Sequence, residues 1–137
     1  MNYLLKTGGW SVEVEDLLAP AMSHDPLASL DGLRVDVETG QAMLFTLNQG
    51  LDLTGAFVLR VDRADLGREC VLVAGGARPG HRHTVGVLEF SEAMAAQLNC
   101  DFIRLHTARD GLARMLPDLG WHEAERVYRK GICHGRA

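Results

Sequence analysis

Apolar positions recur along this chain in two rhythms, and the switches between them mark out the elements. Residues 2–6 (NYLLK) make a short apolar run that predicts a first strand, closed by Gly8 and Gly9. Trp10, Val14, Leu17, Leu18 and Met22 then fall on one face of a helix. Ser11 suits its N-cap, and Glu13, Glu15 and Asp16 suit the positive pole of its first turns. Pro20 should end or bend it. Residues 23–40 predict a second helix, opening at Pro26 and closing at Gly40, although the alternation of Leu33, Val35 and Val37 suits a strand equally well. Met43, Phe45 and Leu47 alternate within a strand over 42–48, and Phe57, Leu59 and Val61 within another over 55–62.

The stretch 69–98 organises the rest. Cys70 to Ala74 is wholly apolar, as expected of a strand buried on both faces and paired antiparallel with 55–62. A glycine-rich, basic loop follows, with Gly75, Gly76, Arg78, Pro79, Gly80, His81, Arg82 and His83. A helix then starts near Thr84, with Val87, Leu88, Ser91, Met94, Ala95 and Leu98 on one face and Asn99 as its left-handed end. Residues 101–107 alternate again, and strand, helix, strand in one sheet predicts parallel pairing. Leu112, Met115, Leu116 and Leu119 predict a short helix that Pro117 truncates and Gly120 ends. Residues 122–130 (HEAERVYRK) predict a charged final strand at a sheet edge, before a frayed tail. A strand that turns through glycines into a helix start can receive an anion on its backbone N–H groups.

Length and composition narrow the picture. The 137 residues fit one domain, 1–137, around a single core. At 47% hydrophobic and 23% charged residues, the chain is of globular composition, which excludes disorder. No apolar run reaches the ~20 residues of a membrane span, and the N-terminus has no signal-peptide pattern, so a cytoplasmic setting is expected. Three cysteines without metal-type spacing exclude a disulfide framework, and Cys70 and Cys100 read as core thiols. The net charge of −4 argues against nucleic-acid binding. Residues 1–69 carry 5 basic and 11 acidic side chains, and residues 70–137 carry 9 and 7. That asymmetry suits a phosphate-bearing ligand held by the second half, and random surface charge accounts for it equally. His81, His83 and His106 lack a carboxylate or cysteine at ligand spacing, so no metal is expected. An apolar strand is a poor setting for Cys70 as a nucleophile.

The element order is strand, two helices, three strands, helix, strand, helix, strand. Together with the segment LNCDFIRLHT and the later GLARMLPDLGWHEAERVYRK, it resembles the GNAT (Gcn5-related N-acetyltransferase) family. Asn99–Cys100 and Gly120–Trp121 stand where that family has a Gly-Cys-like pair and a Gly-Phe pair. The resemblance implies an α/β (α+β) fold with a mixed sheet of about six to seven strands and about four helices. It implies acetyl-CoA bound between the splayed strands 69–74 and 101–107. The family's Arg/Gln-x-x-Gly-x-Gly/Ala loop, whose N–H groups hold the pyrophosphate, corresponds to His83-Thr84-Val85-Gly86-Val87-Leu88. By that resemblance Leu72, Val73, Ala74, Arg78, Arg82, His83, Gly86 and Val87 are cofactor contacts. Glu69 is the candidate general base for an acceptor amine. Two positions depart from the pattern. Leu88 replaces a small residue, and Leu116 stands where a tyrosine often protonates the leaving thiolate. The alternative expectation is a catalytically inactive GNAT-fold interaction or structural protein, such as a phage virion component, with a protein partner or self-association instead of an amine.

Overall fold

A computed structural model of the chain describes residues 4–23 and 25–135. Asn2 and Tyr3 of the expected first strand, and His24 of the expected turn after the first helix, lie outside the described residues. The chain forms two compact units, Met1–His106 and Thr107–Ala137.

The first unit holds a five-stranded mixed sheet. Its strands are β1 (Leu4–Thr7), β2 (Met43–Gln49), β3 (Asp52–Ala64), β4 (Gly67–Ala77) and β5 (Phe102–Leu105), lying side by side in chain order. The first four pair antiparallel, and β5 pairs parallel to β4. Helices α1 (Val12–Met22) and α2 (Leu30–Glu38) precede β2, and α3 (Thr84–Gln97) makes the crossover from β4 to β5. The sheet therefore has five strands among the described residues, not the six to seven expected.

Local chemistry sets the helix ends. Ser11 Oγ accepts from the Val14 N–H at 3.2 Å, and Ser29 Oγ accepts from the Gly32 N–H at 3.0 Å. The second helix thus opens at Ser29 and not at Pro26. Pro20 lies within α1, near its end, where the N–H it lacks costs only one late bond. Asn99 ends α3 with a positive φ of 56°, as expected.

Each face of the sheet has its own core. Val14, Leu18 and Leu33 from α1 and α2 pack on Leu44, Ala56, Val58 and Ala74. On the other face, α3 lays Ala95, Val87, Phe90 and Met94 against Phe45, Phe57, Leu59 and Cys70. Phe45 stacks on Phe57 at 5.2 Å between ring centroids, and Phe90 meets both edge-on. Fully burying each such side chain contributes about 1.5–3 kcal/mol, so these two layers fix the sheet. No helix among the described residues is long and apolar enough to cross a membrane.

The second unit contains α4 (Asp110–Met115) and a 3-10 turn at Pro117–Leu119, ended by Gly120 at φ 89°. Pro117 truncates the helix as its ring requires. The strand expected over His122–Lys130 does not form, and residues 121–135 have no regular structure. Its side chains are exposed throughout, and no strand pairs with it among the described residues. A strand is stable only when a neighbour takes up its backbone groups and buries one face. Charge at five of these nine positions leaves little to bury.

Candidate active site

β4 is irregular where its neighbour leaves it. The β3–β4 register runs from Gly55↔Ala77 to Val58↔Ala74 and resumes at Leu59↔Leu72, so Val73 is an extra residue. Such a bulge bends its strand and frees backbone groups from the ladder. β5 accompanies β4 only from Glu69↔Phe102 to Leu72↔Leu105. From Val73 to Ala77, the side of β4 away from β3 has no strand neighbour among the described residues. Every second residue of that run turns its N–H and C=O toward the open side.

The glycine-rich loop is shorter than the sequence suggests. Gly75 and Gly76 belong to β4, opposite Phe57 and Ala56. Gly76 is required by packing, because the Leu17 carbonyl of α1 occupies the place of a side chain there. The loop proper runs from Arg78 to His83. Arg78 N–H donates to the Thr54 carbonyl at 2.9 Å, His81 N–H donates to the Arg78 carbonyl at 3.1 Å, and Gly80 turns the chain at φ 84°.

His83 closes the loop at the N-cap of α3, and its ring is buried. Its Nε2 lies 3.1 Å from Thr54 Oγ1, whose hydroxyl donates to the Leu47 carbonyl at 3.1 Å. With that hydroxyl proton committed, Nε2 is the donor to Thr54 Oγ1. Burial, and secondarily the neighbouring His81, push the pKa of His83 below the ordinary imidazole value. The imidazole therefore ties α3 to β3 instead of offering a charge.

The anion-receiving elements lie just beyond. Val87 N–H is the first in α3 to bond within the helix, to the His83 carbonyl at 2.8 Å. The N–H groups of Thr84, Val85 and Gly86 precede that ladder, and no acidic side chain stands in the first turn. Arg78 and Arg82 are exposed, with no ion-pair partner among the described residues. Leu88, which replaces the small residue of the family's motif, is buried in the protein interior. Leu72 and Val87 pack in the α3 core, while Val73 and Ala74 pack toward α1. A cleft of about 390 Å³ runs beside the corner, between Glu13, Asp16 and Leu17 of α1 and Ala77, Arg78 and Pro79.

Glu69 sits at the other end of β4, in a chain of charges across three strands. Arg104 of β5 pairs with Glu69 and also donates to Asp62 Oδ2 at 3.1 Å. Arg60 Nε donates to Asp62 Oδ1 at 2.7 Å. The Arg60 guanidinium, and after it Arg104, holds the Asp62 carboxyl below the usual carboxylate range. Cys70 is wholly buried, and burial followed by Cys100 pushes its thiol up to about 11, so it stays protonated. No group of three His, Cys, Asp or Glu side chains gathers at metal-binding distance among the described residues. Sequence reading missed Thr54, Asp62 and the bulge at Val73. A lone threonine or one extra apolar residue in a strand carries no local signal.

No family model and no curated protein matches the sequence. Solved structures do match, over nearly the whole chain. A GCN5-related N-acetyltransferase from Ralstonia eutropha JMP134 superposes with a TM-score of 0.74 at 12% identity, covering 94% of this chain and 98% of the other. The chain has the GNAT fold. A Bacillus subtilis acetyltransferase, solved in complex with CoA, gives 0.71 at 19% identity, covering 96% and 91%. A transcriptional regulator from Bacillus halodurans C-125 gives 0.72 at 12% identity, covering 96% and 100%. GNAT-fold chains thus carry more than one description, so the fold alone does not assign a reaction. Nothing in these matches supports a phage or virion setting.

Proposed function

We propose that this GNAT-fold chain is an N-acyltransferase that takes an acetyl group from acetyl-CoA and passes it to an amine. The observation that supports this most is the conjunction at one corner. β4 bulges at Val73, loses β5 after Leu72, and leads within one short turn to the open first turn of α3.

The residues present fit the cofactor. The N–H groups of Thr84, Val85 and Gly86 would hold its diphosphate, where the helix dipole favours negative charge. Arg78 and Arg82 would add charge-assisted hydrogen bonds, since neither is engaged elsewhere. The open edge of β4 from Val73 onward, just past the last β5 pair at Leu72, would receive the cofactor's amide-bearing arm. When bound, acetyl-CoA supplies an activated thioester, which an amine attacks directly without a covalent enzyme intermediate.

The chain's own work is then positioning and proton management. Backbone donors at the bulge are fixed before reaction, so they stabilise developing negative charge without reorganising. Glu69 is the carboxylate proposed to take the amine's proton.

Titration calorimetry with acetyl-CoA tests the reading. Affinity near micromolar, equivalent to about −8 kcal/mol, supports it. The absence of binding at millimolar cofactor overturns it and leaves the fold as a scaffold for a protein partner.

A further inference from the structure

Arg63 and Arg68 stand directly opposite each other on β3 and β4. Residues so paired project from the same face of the sheet, here the face of Val61 and Cys70. Like charges in that relationship repel and destabilise the hairpin. Neither guanidinium has an ion-pair partner among the described residues, and Nε of Arg68 is buried without a hydrogen-bond partner. Asp101 Oδ2 accepts from the Arg68 backbone N–H at 3.0 Å and forms no ion pair with either guanidinium among the described residues.

Both arginines line a cleft of about 460 Å³, with Met43, Val61 and Leu98 as apolar lining; Arg60 also borders it, with its guanidinium held by Asp62. No carboxylate lines it among the described residues. Leu98 caps the negative end of α3, which attracts a cation. That attraction does not account for the pair, because no hydrogen bond runs from either guanidinium to an α3 carbonyl. A buried donor without a protein partner can be satisfied by a water, a ligand or an ion.

We infer that this cleft is a second anion site, which takes the phosphate of a phosphomonoester between the forks of Arg63 and Arg68. Guanidinium forks match phosphate oxygens bidentately. Two guanidinium groups outside any ion pair match a phosphomonoester, which carries about −1.5 to −2 at pH 7, better than a single carboxylate. The apolar lining accepts the organic part of the ligand. The site lies beyond the C-terminal end of α3, a helix about 20 Å long, and so far from the corner proposed for acetyl-CoA. It therefore stands or falls independently of the acyltransferase reading.

Thermal unfolding at constant ionic strength tests it, with inorganic phosphate and phenyl phosphate as probes. Phosphate raises the wild-type melting temperature saturably, as a ligand of the native state must. Phenyl phosphate does so at several-fold lower concentration if the apolar lining is used. Equal potency of the two probes assigns the site to free phosphate. Arg68→Gln and Arg63→Gln abolish the rise. Without phosphate both variants melt at or above the wild-type temperature, because the repulsion is gone. Arg63 is exposed, so its variant keeps the test alive should Arg68→Gln fail to fold. Three results would overturn the site. One is no rise at tens of millimolar phosphate. Another is a rise that survives both substitutions and disappears in Arg78→Gln or Arg82→Gln. The third is variants that melt lower by the same amount with and without phosphate, which marks the pair as structural.

Discussion

The carbonyl oxygen of Leu17 occupies the space that a side chain at Gly76 would need. Helix α1 therefore lies with its backbone directly on β4, one residue before the strand ends. Its partner in the contact is backbone and cannot swing aside. Gly76→Ala should destabilise the protein by about 2–3 kcal/mol, as overpacking does. Gly75 is the internal control. A methyl group there meets Phe57 Cβ at 3.5 Å, an ordinary contact, so Gly75→Ala should stay within about 0.5 kcal/mol of wild type. Urea unfolding measures both. Equal stability of the two variants would mean that α1 does not rest on β4 in this way.

Val85 offers a clean probe of the α3 corner. It is exposed in the first turn, where a glutamate complements the helix dipole by about 0.3–1 kcal/mol. The same charge stands beside the N–H groups proposed for the diphosphate. Val85→Glu should therefore leave the melting temperature unchanged or raised, and weaken acetyl-CoA binding at least tenfold. Calorimetry and thermal unfolding on one preparation separate the two effects. Unaltered affinity would place the cofactor elsewhere.

His83 links folding to pH. Burial, with His81 as a lesser cause, holds its folded pKa below the ordinary value, so the unfolded chain binds a proton near pH 6.5 that the native ring refuses. Its contribution to stability is complete above that pH. It declines as pH falls from there toward the depressed native value. His83→Gln can retain a donor toward Thr54 and cannot titrate. The wild type should lose stability below about pH 6.5 more steeply than the variant, as read by urea midpoints across that range. Parallel profiles would show that the ring does not resist protonation in the folded state.

Much of the architecture is written in local periodicity. The stripe on α3, the alternation in β2 and β3, the apolar run of β4 and the left-handed Asn99 are each properties of a few consecutive residues. The parts that were not legible depend on distant partners. Gly75 and Gly76 read as a flexible anion loop, because a glycine demanded by an approaching helix looks the same in sequence as one demanded by a turn. The bulge at Val73 is set by the register against β3. Residues 122–130 carry a strand-like pattern, but a pattern cannot supply a neighbour to pair with. In the candidate site, Arg78 and Arg82 stand out in the basic loop, and Gly86 is proposed only through the resemblance to the family's motif. The engagement of Glu69 with Arg104, 35 residues later, could not be read from the sequence.

That engagement allows two separable roles for Glu69. As part of the chain Arg60–Asp62–Arg104–Glu69, it braces β3, β4 and β5 where their side chains are about one-third exposed. At that exposure such pairs contribute at most about 1 kcal/mol, so bracing alone should be a small effect. As the proposed base, Glu69 would matter far more, because a positioned base contributes about 10²–10⁴-fold. Glu69→Gln should then lower kcat at least 100-fold while leaving acetyl-CoA affinity intact. Arg104→Gln removes the same ion pair but leaves the carboxylate, and should cost stability with only a modest change in kcat. If both variants lose a little stability and neither changes kcat, Glu69 is a brace, and the amine's proton leaves by another route.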